Sequence, residues 1–311
     1  MGAPLVNYIV RRLIIAIPLV LALVTVVFVL LRTLVPGDPA QILAGETASL
    51  ERIQQIRIHQ GLDKPLSVQF GIFLLHLAQG DLGRSSISNE LVTERLWVAL
   101  PVTLALTTTT FIYIMVLGLL IGVVTAYWQD TWLDNLLRVV SVFSASMPTF
   151  WLGLMLMLLF AVALGWLPVI SDLSPRGLIM PTLTLGTGGA ASLGRLVRAN
   201  MLEVLSSDYI RAARAKGARE VSVVLHHALR NTLIPVVTIA GFTIGDLLGG
   251  AVVTESIFGL SGLGTLAIKS ILTRDYAVIQ ADVLFICVVY LACNLIADVT
   301  YAFVDPRIRL Q

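Results

Sequence analysis

The sequence has 311 residues, of which 57% are hydrophobic and 13% charged, with a formal net charge of +2. Soluble globular domains usually carry about 25% charged residues, so this chain has too little polar surface to enclose a core in water. The apolar residues fall in blocks near or above the roughly 20 residues that cross a bilayer, without the alternating pattern of a membrane barrel. Because backbone groups in lipid must bond within their own segment, the composition predicts an all-α polytopic membrane protein.

Six apolar segments predict six transmembrane helices. In chain order they are Ile9–Leu31, Val98–Thr125, Leu136–Leu164, Leu178–Val197, Leu233–Val253 and Val278–Phe303. Within the first segment, the apolar run Leu13–Leu31 follows Arg11 and Arg12 and is too long for the core of a secretory signal, so we expect it to be retained.

The distribution of Lys and Arg predicts the orientation of the spans. The two short loops between spans on one side contain only Arg176, Lys269 and Arg274, whereas the segments on the other side are rich in arginine. Short cytoplasmic loops carry an excess of positive charge, so both termini are predicted to be cytoplasmic.

This topology divides the chain into four parts. Residues 1–31 form an N-terminal tail and the first span, and residues 32–97 form a small extracytoplasmic cap. Residues 98–303 form a five-helix core with a cytoplasmic loop at 198–232 and an outer loop at 254–277. Residues 304–311 form a cytoplasmic tail. The first span is expected to be peripheral to the five-helix core.

The loop at 198–232 carries signals for two short helices. Ser206, Ser207 and Asp208 are favourable N-cap residues, and Gly217 stands where a helix C-cap glycine belongs. A second helical stretch at Val221–Arg230 leads back towards the membrane.

The small pair Ala212-Ala213 lies in the centre of the first loop helix, where it would let another surface approach the backbone closely. From the residues alone, two interpretations remain open. The loop is either a basic segment that only fixes the topology, or a docking site for a partner.

Several positions within the predicted spans stand out. Asp246 lies in the middle of the fifth span, where a carboxylate is costly, and is a candidate to meet a substrate ammonium group; an interhelical partner is the alternative. Thr243 and Met147 are further candidates for a translocation path. Met147-Pro148 predicts a kink in the third span, and Gly118-x-x-x-Gly122 predicts close helix packing in the second.

The sequence contains no set of residues typical of an enzyme. The histidines, His59, His76, His226 and His227, lie in predicted soluble segments and no Cys or carboxylate cluster completes a metal site. No Gly-x4-Gly-Lys-Ser/Thr phosphate-binding loop is present. We therefore expect no catalytic residues and no metal or cofactor bound by this chain.

Short motifs along nearly the whole chain resemble those of permease subunits of type I ABC importers, in particular the first permease of the dipeptide, oligopeptide, nickel and glutathione branch. One of them resembles the "EAA" coupling loop. The motifs are Pro36-Gly-Asp-Pro39, Gly61-Leu-Asp-Lys-Pro65, Gly80-Asp-Leu-Gly83, Asp208-Tyr-Ile-Arg-Ala-Ala-Arg-Ala-Lys-Gly217, His227-Ala-Leu-Arg-Asn231, Pro235-Val-Val-Thr238, Gly262-Leu-Gly264, Arg274-Asp-Tyr276 and Asp305-Pro-Arg-Ile-Arg309.

The resemblance implies a MetI-like five-helix core in a bacterial inner membrane. It implies a second homologous permease, two cytoplasmic ATPases that use ATP and Mg, and an extracytoplasmic binding protein, with no nucleic-acid partner. It places contact with the ATPase in the helix 206–217, at the residues Asp208, Tyr209, Arg211, Ala212, Ala213, Lys216 and Gly217. Arg211 departs from the general motif, which has Glu there, and so does His227-Ala-Leu-Arg230, where the motif has Ile-x-Leu-Pro.

The substrate does not follow from the sequence. Di- and oligopeptides are the favoured substrates, and glutathione or nickel complexes are the alternatives within the same importer class. From physical reasoning alone, an ion-coupled secondary transporter and a structural subunit of a membrane complex are rival interpretations.

Overall fold

A computed structural model describes residues 2–33, 39–44, 48–59 and 61–304. Within these ranges the regular structure is helical, apart from one isolated bridge between Arg84 and Leu91. The helices are α1 (Gly2–Thr33), α2 (Pro39–Ala44), α3 (Leu50–His59), α4 (Leu66–Ala78), α5 (Val92–Tyr127), α6 (Trp132–Ser146), α7 (Thr149–Leu156), α8 (Pro175–Leu205), α9 (Asp208–Ala215), α10 (Glu220–Ser222), α11 (Leu229–Phe258), α12 (Leu263–Leu272) and α13 (Tyr276–Val304). Two of the motifs lie outside the described residues. They are the motif at 305–309 and the motif at 36–39, of which only the backbone of Pro39 is described.

Among the described residues, four helical segments are long and apolar enough to cross a membrane: Ile14–Thr33, Val92–Tyr127, Pro235–Phe258 and Tyr276–Leu295. They correspond to the predicted first, second, fifth and sixth spans. The predicted fourth span is also helical, within α8, but this helix is not among the segments that are apolar enough. The all-helical membrane class is therefore confirmed, whereas the count of six spans and the orientation stay predictions.

The predicted third span is not one continuous helix. α6 ends at Ser146, α7 begins at Thr149, and the two helical segments are bent by 106° at the break. Met147 has an extended backbone, with ψ at 130°, because the ring of the following proline disfavours helical geometry in the residue before it. The kink predicted at Met147-Pro148 is thus a full interruption, and α7 continues as a π-helical segment at Met157–Ala163.

The chain forms two compact units. The first unit contains 103–260 together with the chain ends 1–7 and 292–311, and the second contains 8–102 and 261–291. This division groups most of α1 with the segment that follows it and with α12. The domain boundaries drawn from hydropathy stay a prediction.

In the first unit, α5 and α8 approach each other through glycines. A Cβ atom added at Gly118 would lie 2.8 Å from Leu193, and one added at Gly194 would lie 2.9 Å from Ile121. At Gly122 the added atom would overlap Val197 and lie 2.8 Å from the Gly194 carbonyl oxygen. The close packing predicted from the glycine spacing is confirmed.

In the second unit, α1 buries little of its surface. Among its described side chains only Val24 and Phe28 are buried apolar residues. Phe28 packs against Phe70 and Phe73 of α4, with ring centroids 5.2 and 5.7 Å apart. Most of the other apolar side chains that the structure describes in α1 are exposed in the single chain, as expected for a helix that faces lipid.

Candidate functional site

The loop at 198–232 contains the helix expected from its capping residues. α9 begins at Asp208 and ends at Ala215, and Ser207 is its N-cap. The Ser207 hydroxyl donates to the Val204 carbonyl oxygen and makes no side-chain cap. The predicted start of this helix was therefore correct in position, although the side chain of Ser207 makes no capping hydrogen bond.

The end of α9 is a Schellman motif. Gly217 has φ at +83°, a left-handed conformation that side chains rarely adopt. The Gly217 N–H donates to the Arg214 carbonyl oxygen at 2.9 Å, and the Ala218 N–H donates to that of Ala213 at 3.2 Å. The predicted C-cap role of Gly217 is confirmed, and the glycine fixes the direction in which the chain leaves the helix.

Two side-chain contacts hold α9 against the segment that follows it. Arg214 donates two hydrogen bonds to the Glu220 carboxylate, at 3.1 and 2.6 Å, which lowers the pKa of Glu220 below its usual value. The Asn231 amide donates to the Tyr209 hydroxyl at 2.7 Å. Since Asn231 belongs to the first turn of α11, this hydrogen bond joins α9 to the fifth-span helix.

The outer face of α9 is open in the single chain. Ile210 is completely buried and anchors the helix, whereas Ala213 is half-buried. The other predicted contact residues are exposed: Asp208, Tyr209, Arg211, Ala212, Lys216 and Gly217. Arg211 pairs with Asp208 at 3.2 Å, so the position that carries Glu in the general motif here forms a local ion pair. The result is a short, anchored helix with a small-residue centre and charged edges.

The second loop helix differs from its predicted form. α10 passes into a π-helical segment at Val223–Ala228, which continues without interruption into α11. Val223 and Val224 are buried in the same hydrophobic core as Ile210. The return path to the membrane is therefore an extension of the fifth-span helix.

One face of α11 is exposed over the second half of the helix. It carries Phe242, Asp246, Gly249, Val253 and Ser256, at intervals of three or four residues that place them on one side of the helix. Thr243 is half-buried, and its hydroxyl donates to the Ile239 carbonyl oxygen. Met147 is also half-buried. We define the five exposed residues as the α11 face.

Three buried carboxylates were not identified from the sequence. Asp134 accepts hydrogen bonds from Arg198, Glu255 accepts one from Thr103 at 2.6 Å, and Asp275 accepts one from the Ser86 N–H at 3.1 Å. Each of the three partners is more than 60 positions away in the sequence, so no local pattern predicts these contacts, although Asp275 belongs to the motif Arg274-Asp-Tyr276. Among the described residues, no group of three or more His, Cys, Asp or Glu side chains is placed to hold a metal ion.

The chain matches two family models. The model for the binding-protein-dependent transport system inner membrane component matches residues 118–310, and the model for the N-terminal part of such membrane components matches residues 5–107. Together they cover the core and the N-terminal region.

Relatives match over their full length. Glutathione transport system permease protein GsiC is 43% identical in Salmonella typhimurium LT2 and 41% in Escherichia coli K12, in both cases over 99% of this chain and 100% of the relative. Among solved structures, the inward-facing MetNI methionine ABC transporter has a TM-score of 0.58 and covers 68% of this chain and 97% of that chain. At 21% identity, this likeness concerns the fold alone.

These matches confirm the resemblance carried by the motifs. The relatives are transport permeases without catalytic activity of their own, so ATP hydrolysis belongs to partner ATPase subunits, and substrate arrives through a binding protein. The chain therefore belongs to the binding-protein-dependent transport system inner membrane components, as a multi-pass permease subunit of an ABC importer of the dipeptide, oligopeptide and glutathione branch.

Proposed function

We propose that this chain forms part of the translocation path for small peptides, with glutathione as the foremost substrate. The identity of 43% to a glutathione permease over nearly the whole chain carries the proposal. Glutathione is itself a tripeptide, so the preference for peptides drawn from the sequence and the glutathione relatives describe one chemical class. The second permease of the complex is a distinct homologous chain in this proposal.

The proposed site of energy coupling is α9 with its C-cap, residues 206–217. The exposed face of α9 carries a small side chain at Ala212, which would allow close docking in a cleft of an ATPase subunit. The Schellman end and the Arg214–Glu220 contact make the helix a rigid element, and the bond from Asn231 to Tyr209 joins it to α11. Displacement of the ATPase would then reach the fifth-span helix without deforming the loop.

The α11 face is the proposed wall of the translocation path, with Thr243 and Met147 beside it. Asp246 supports this assignment because an exposed carboxylate in the middle of a span would be costly against lipid. A hydrated path between this permease and its partner gives that carboxylate water, and gives a peptide ammonium group an acceptor.

Substrate identity is tested by uptake of radiolabelled peptides into cells that express the complete importer. We expect glutathione to accumulate and unlabelled glutathione to compete with it. Unlabelled di- and tripeptides, tested as competitors, define how wide the class is. Accumulation of a nickel complex without accumulation of any peptide would contradict the proposed substrate.

The coupling site is tested by Ala212→Trp and Gly217→Pro, with Ala199→Trp as the control. Ala212 is exposed, so a bulky side chain fits the single chain and blocks only a docked partner, whereas proline cannot adopt the positive φ of Gly217. Ala199 is an exposed alanine in α8, outside the proposed coupling site at 206–217. We expect both loop variants to insert in the membrane and lose uptake while the control retains it. Normal uptake in Ala212→Trp and Gly217→Pro would refute the docking role.

A further inference from the structure

α6 is attached to the rest of the first unit by a narrow face. Its fully described side chains include only two buried residues, Asp134 and Ser141. Most of its large apolar side chains are exposed, among them Trp132 at 74%, Val139 at 68% and Phe143 at 64%, whereas Leu133 and Leu137 are half-buried. The helix therefore lacks the broad apolar stripe that usually fixes a helix to its neighbours.

An ion pair provides the specific attachment of α6 to α8. The Arg198 guanidinium donates to both oxygens of the Asp134 carboxylate, from Nε to Oδ1 at 3.0 Å and from Nη2 to Oδ2 at 2.8 Å. The Asp130 N–H also donates to Oδ2, at 3.1 Å, and Arg138 lies 3.4 Å from Oδ1. The Asp134 side chain is completely buried, and that of Arg198 is 18% exposed. This two-point geometry fixes both distance and orientation.

The two ends of α6 are interrupted. Before it, Asp130 takes φ at +60° in the turn between α5 and α6. After it, the chain breaks at Met147-Pro148 and is bent by 106°. α6 is therefore a short rigid element between two joints, and its position depends on what holds its first turn.

α8, in contrast, is continuous from Pro175 to Leu205 and leads directly into the loop that contains α9. Arg198 lies two turns before the end of α8, on the part of the helix nearest to the loop. Glycine contacts at Gly194 hold the same part of α8 against α5. A shift of the loop would move this end of α8 as a packed helix.

We propose that Asp134 and Arg198 are a positioning pair that makes α6 move together with α8 when the loop is displaced. The pair would carry motion from α9 through α8 to the joint at Met147-Pro148, beside the proposed translocation path. The proposal rests on the coupling role proposed for residues 206–217. It assigns a function to a charged pair that neither the motifs nor the relatives identify.

Stability alone is a poor explanation for the pair. The desolvation of two buried charges often offsets their attraction, so hydrophobic side chains would hold two helices together at least as well. What a two-point ion pair adds is a fixed register between two elements. A link that only stabilised the fold would not need the geometry of a carboxylate held at both oxygens.

The test uses the complete importer reconstituted in proteoliposomes, with this chain, the second permease, the ATPase subunits and the binding protein. The variant is the double substitution Asp134→Asn with Arg198→Gln, which removes both charges and leaves neither buried alone. The matched control is Arg138→Gln, which removes a charge from the same helix but keeps the two-point pair. ATP hydrolysis, uptake and thermal unfolding are measured on each preparation, with Gly217→Pro in parallel.

We expect the double variant to assemble and hydrolyse ATP while the uptake per ATP hydrolysed falls about fivefold or more, and the control to behave as wild type. The proposal would be overturned if uptake per ATP hydrolysed were unchanged in the double variant, or if Arg138→Gln lowered it equally. It would also be overturned if thermal unfolding of the double variant explained its loss of uptake. If Gly217→Pro alone lowers the ratio, the loop couples and the positioning pair does not. If Gly217→Pro leaves uptake normal, the proposed coupling role of the loop is refuted, and the positioning pair loses the basis on which it rests.

Discussion

A carboxylate on an exposed helix face, as at Asp246, restricts what that face can contact. Every other residue of the α11 face is apolar, small or a serine whose hydroxyl bonds to its own helix, at the Val252 carbonyl oxygen. Asp246 is thus the one position on this face that can attract a cation. The free α-ammonium group of a peptide, including that of glutathione, fits this chemistry.

Asp246→Asn is predicted to lower uptake of peptides that have a free ammonium group by about tenfold, since hydrogen bonds to charged groups contribute roughly 1.5–3 kcal/mol. Uptake of the same peptide with an acetylated amino group should not change. Both are measured by accumulation of labelled peptide in cells. Ser256→Ala is the control on the same face, because its hydroxyl is already bonded within α11. Equal losses for the free and acetylated peptides would show that Asp246 has a structural role.

Glu255 shows a second way in which a charged residue enters a membrane core. It lies in the last turn of α11, is completely buried, and accepts a hydrogen bond from Thr103 of α5. The residues next to Glu255 in the sequence do not indicate burial, so only the fold reveals that its side chain faces inwards. Both Asp246 and Glu255 belong to α11, yet only the residue in the middle of the apolar run attracts attention in the sequence.

At the scale of helices, the contact between α5 and α8 depends on the absence of side chains. Small residues let membrane helices approach closely, where packing and not the hydrophobic effect drives their association. The Gly194 carbonyl oxygen lies where a side chain at Gly122 would begin. This carbonyl belongs to the backbone of α8 and cannot rotate away, so the contact tolerates no added methyl group.

Gly122→Ala is therefore predicted to lower the free energy of unfolding by about 1–3 kcal/mol, the usual range for overpacking. Gly188→Ala is the control, because an added Cβ there meets no atom within 4 Å and the position lies in the facing helix α8. It should be neutral or slightly stabilising, since alanine favours helix by up to about 1 kcal/mol over glycine. Thermal unfolding of the two purified variants in detergent checks this difference. Equal unfolding temperatures would contradict the tight contact.

Sequence patterns predicted most helices and few of their attachments. Long apolar runs identified α1, α5, α11 and α13, because the bilayer imposes a length and a composition. Proline marked the break between α6 and α7, but the 106° bend depends on what each half packs against. Local capping rules also located α9 and the glycine at its end, because a helix end is determined by a few neighbouring residues.

The side-chain contacts between helices could not be predicted from the sequence, because they join residues that are distant along the chain. Asp134 stands 64 positions from Arg198, and Glu255 stands 152 from Thr103. In each case, burial of the carboxylate is tolerable only with its partner in place. The predicted second loop helix is present, but it is not a separate short helix, for a related reason. Val223 and Val224 belong to a core assembled from distant helices, which draws this stretch into a continuous π-helical and α-helical path into the membrane.

For the whole molecule, the decisive property is that the energy source lies in another chain. The sequence has no phosphate-binding loop, whereas the loop at 198–232 presents an anchored helix with an open face. In the proposed mechanism, this importer moves substrate only when an ATPase drives the loop. A secondary transporter would instead work as a single chain on an ion gradient.

Proteoliposomes distinguish these two designs at the level of the complete protein. The chain together with its second permease, ATPases and binding protein should accumulate glutathione with ATP and not with a non-hydrolysable analogue. The chain alone should accumulate none under a proton or sodium gradient, since no part of its proposed path is coupled to an ion. Radiolabelled glutathione inside the vesicles measures both. Gradient-driven accumulation by the isolated chain would show that the α11 face serves an ion-coupled cycle, with Asp246 as its ion site, and that α9 is not the point at which energy enters.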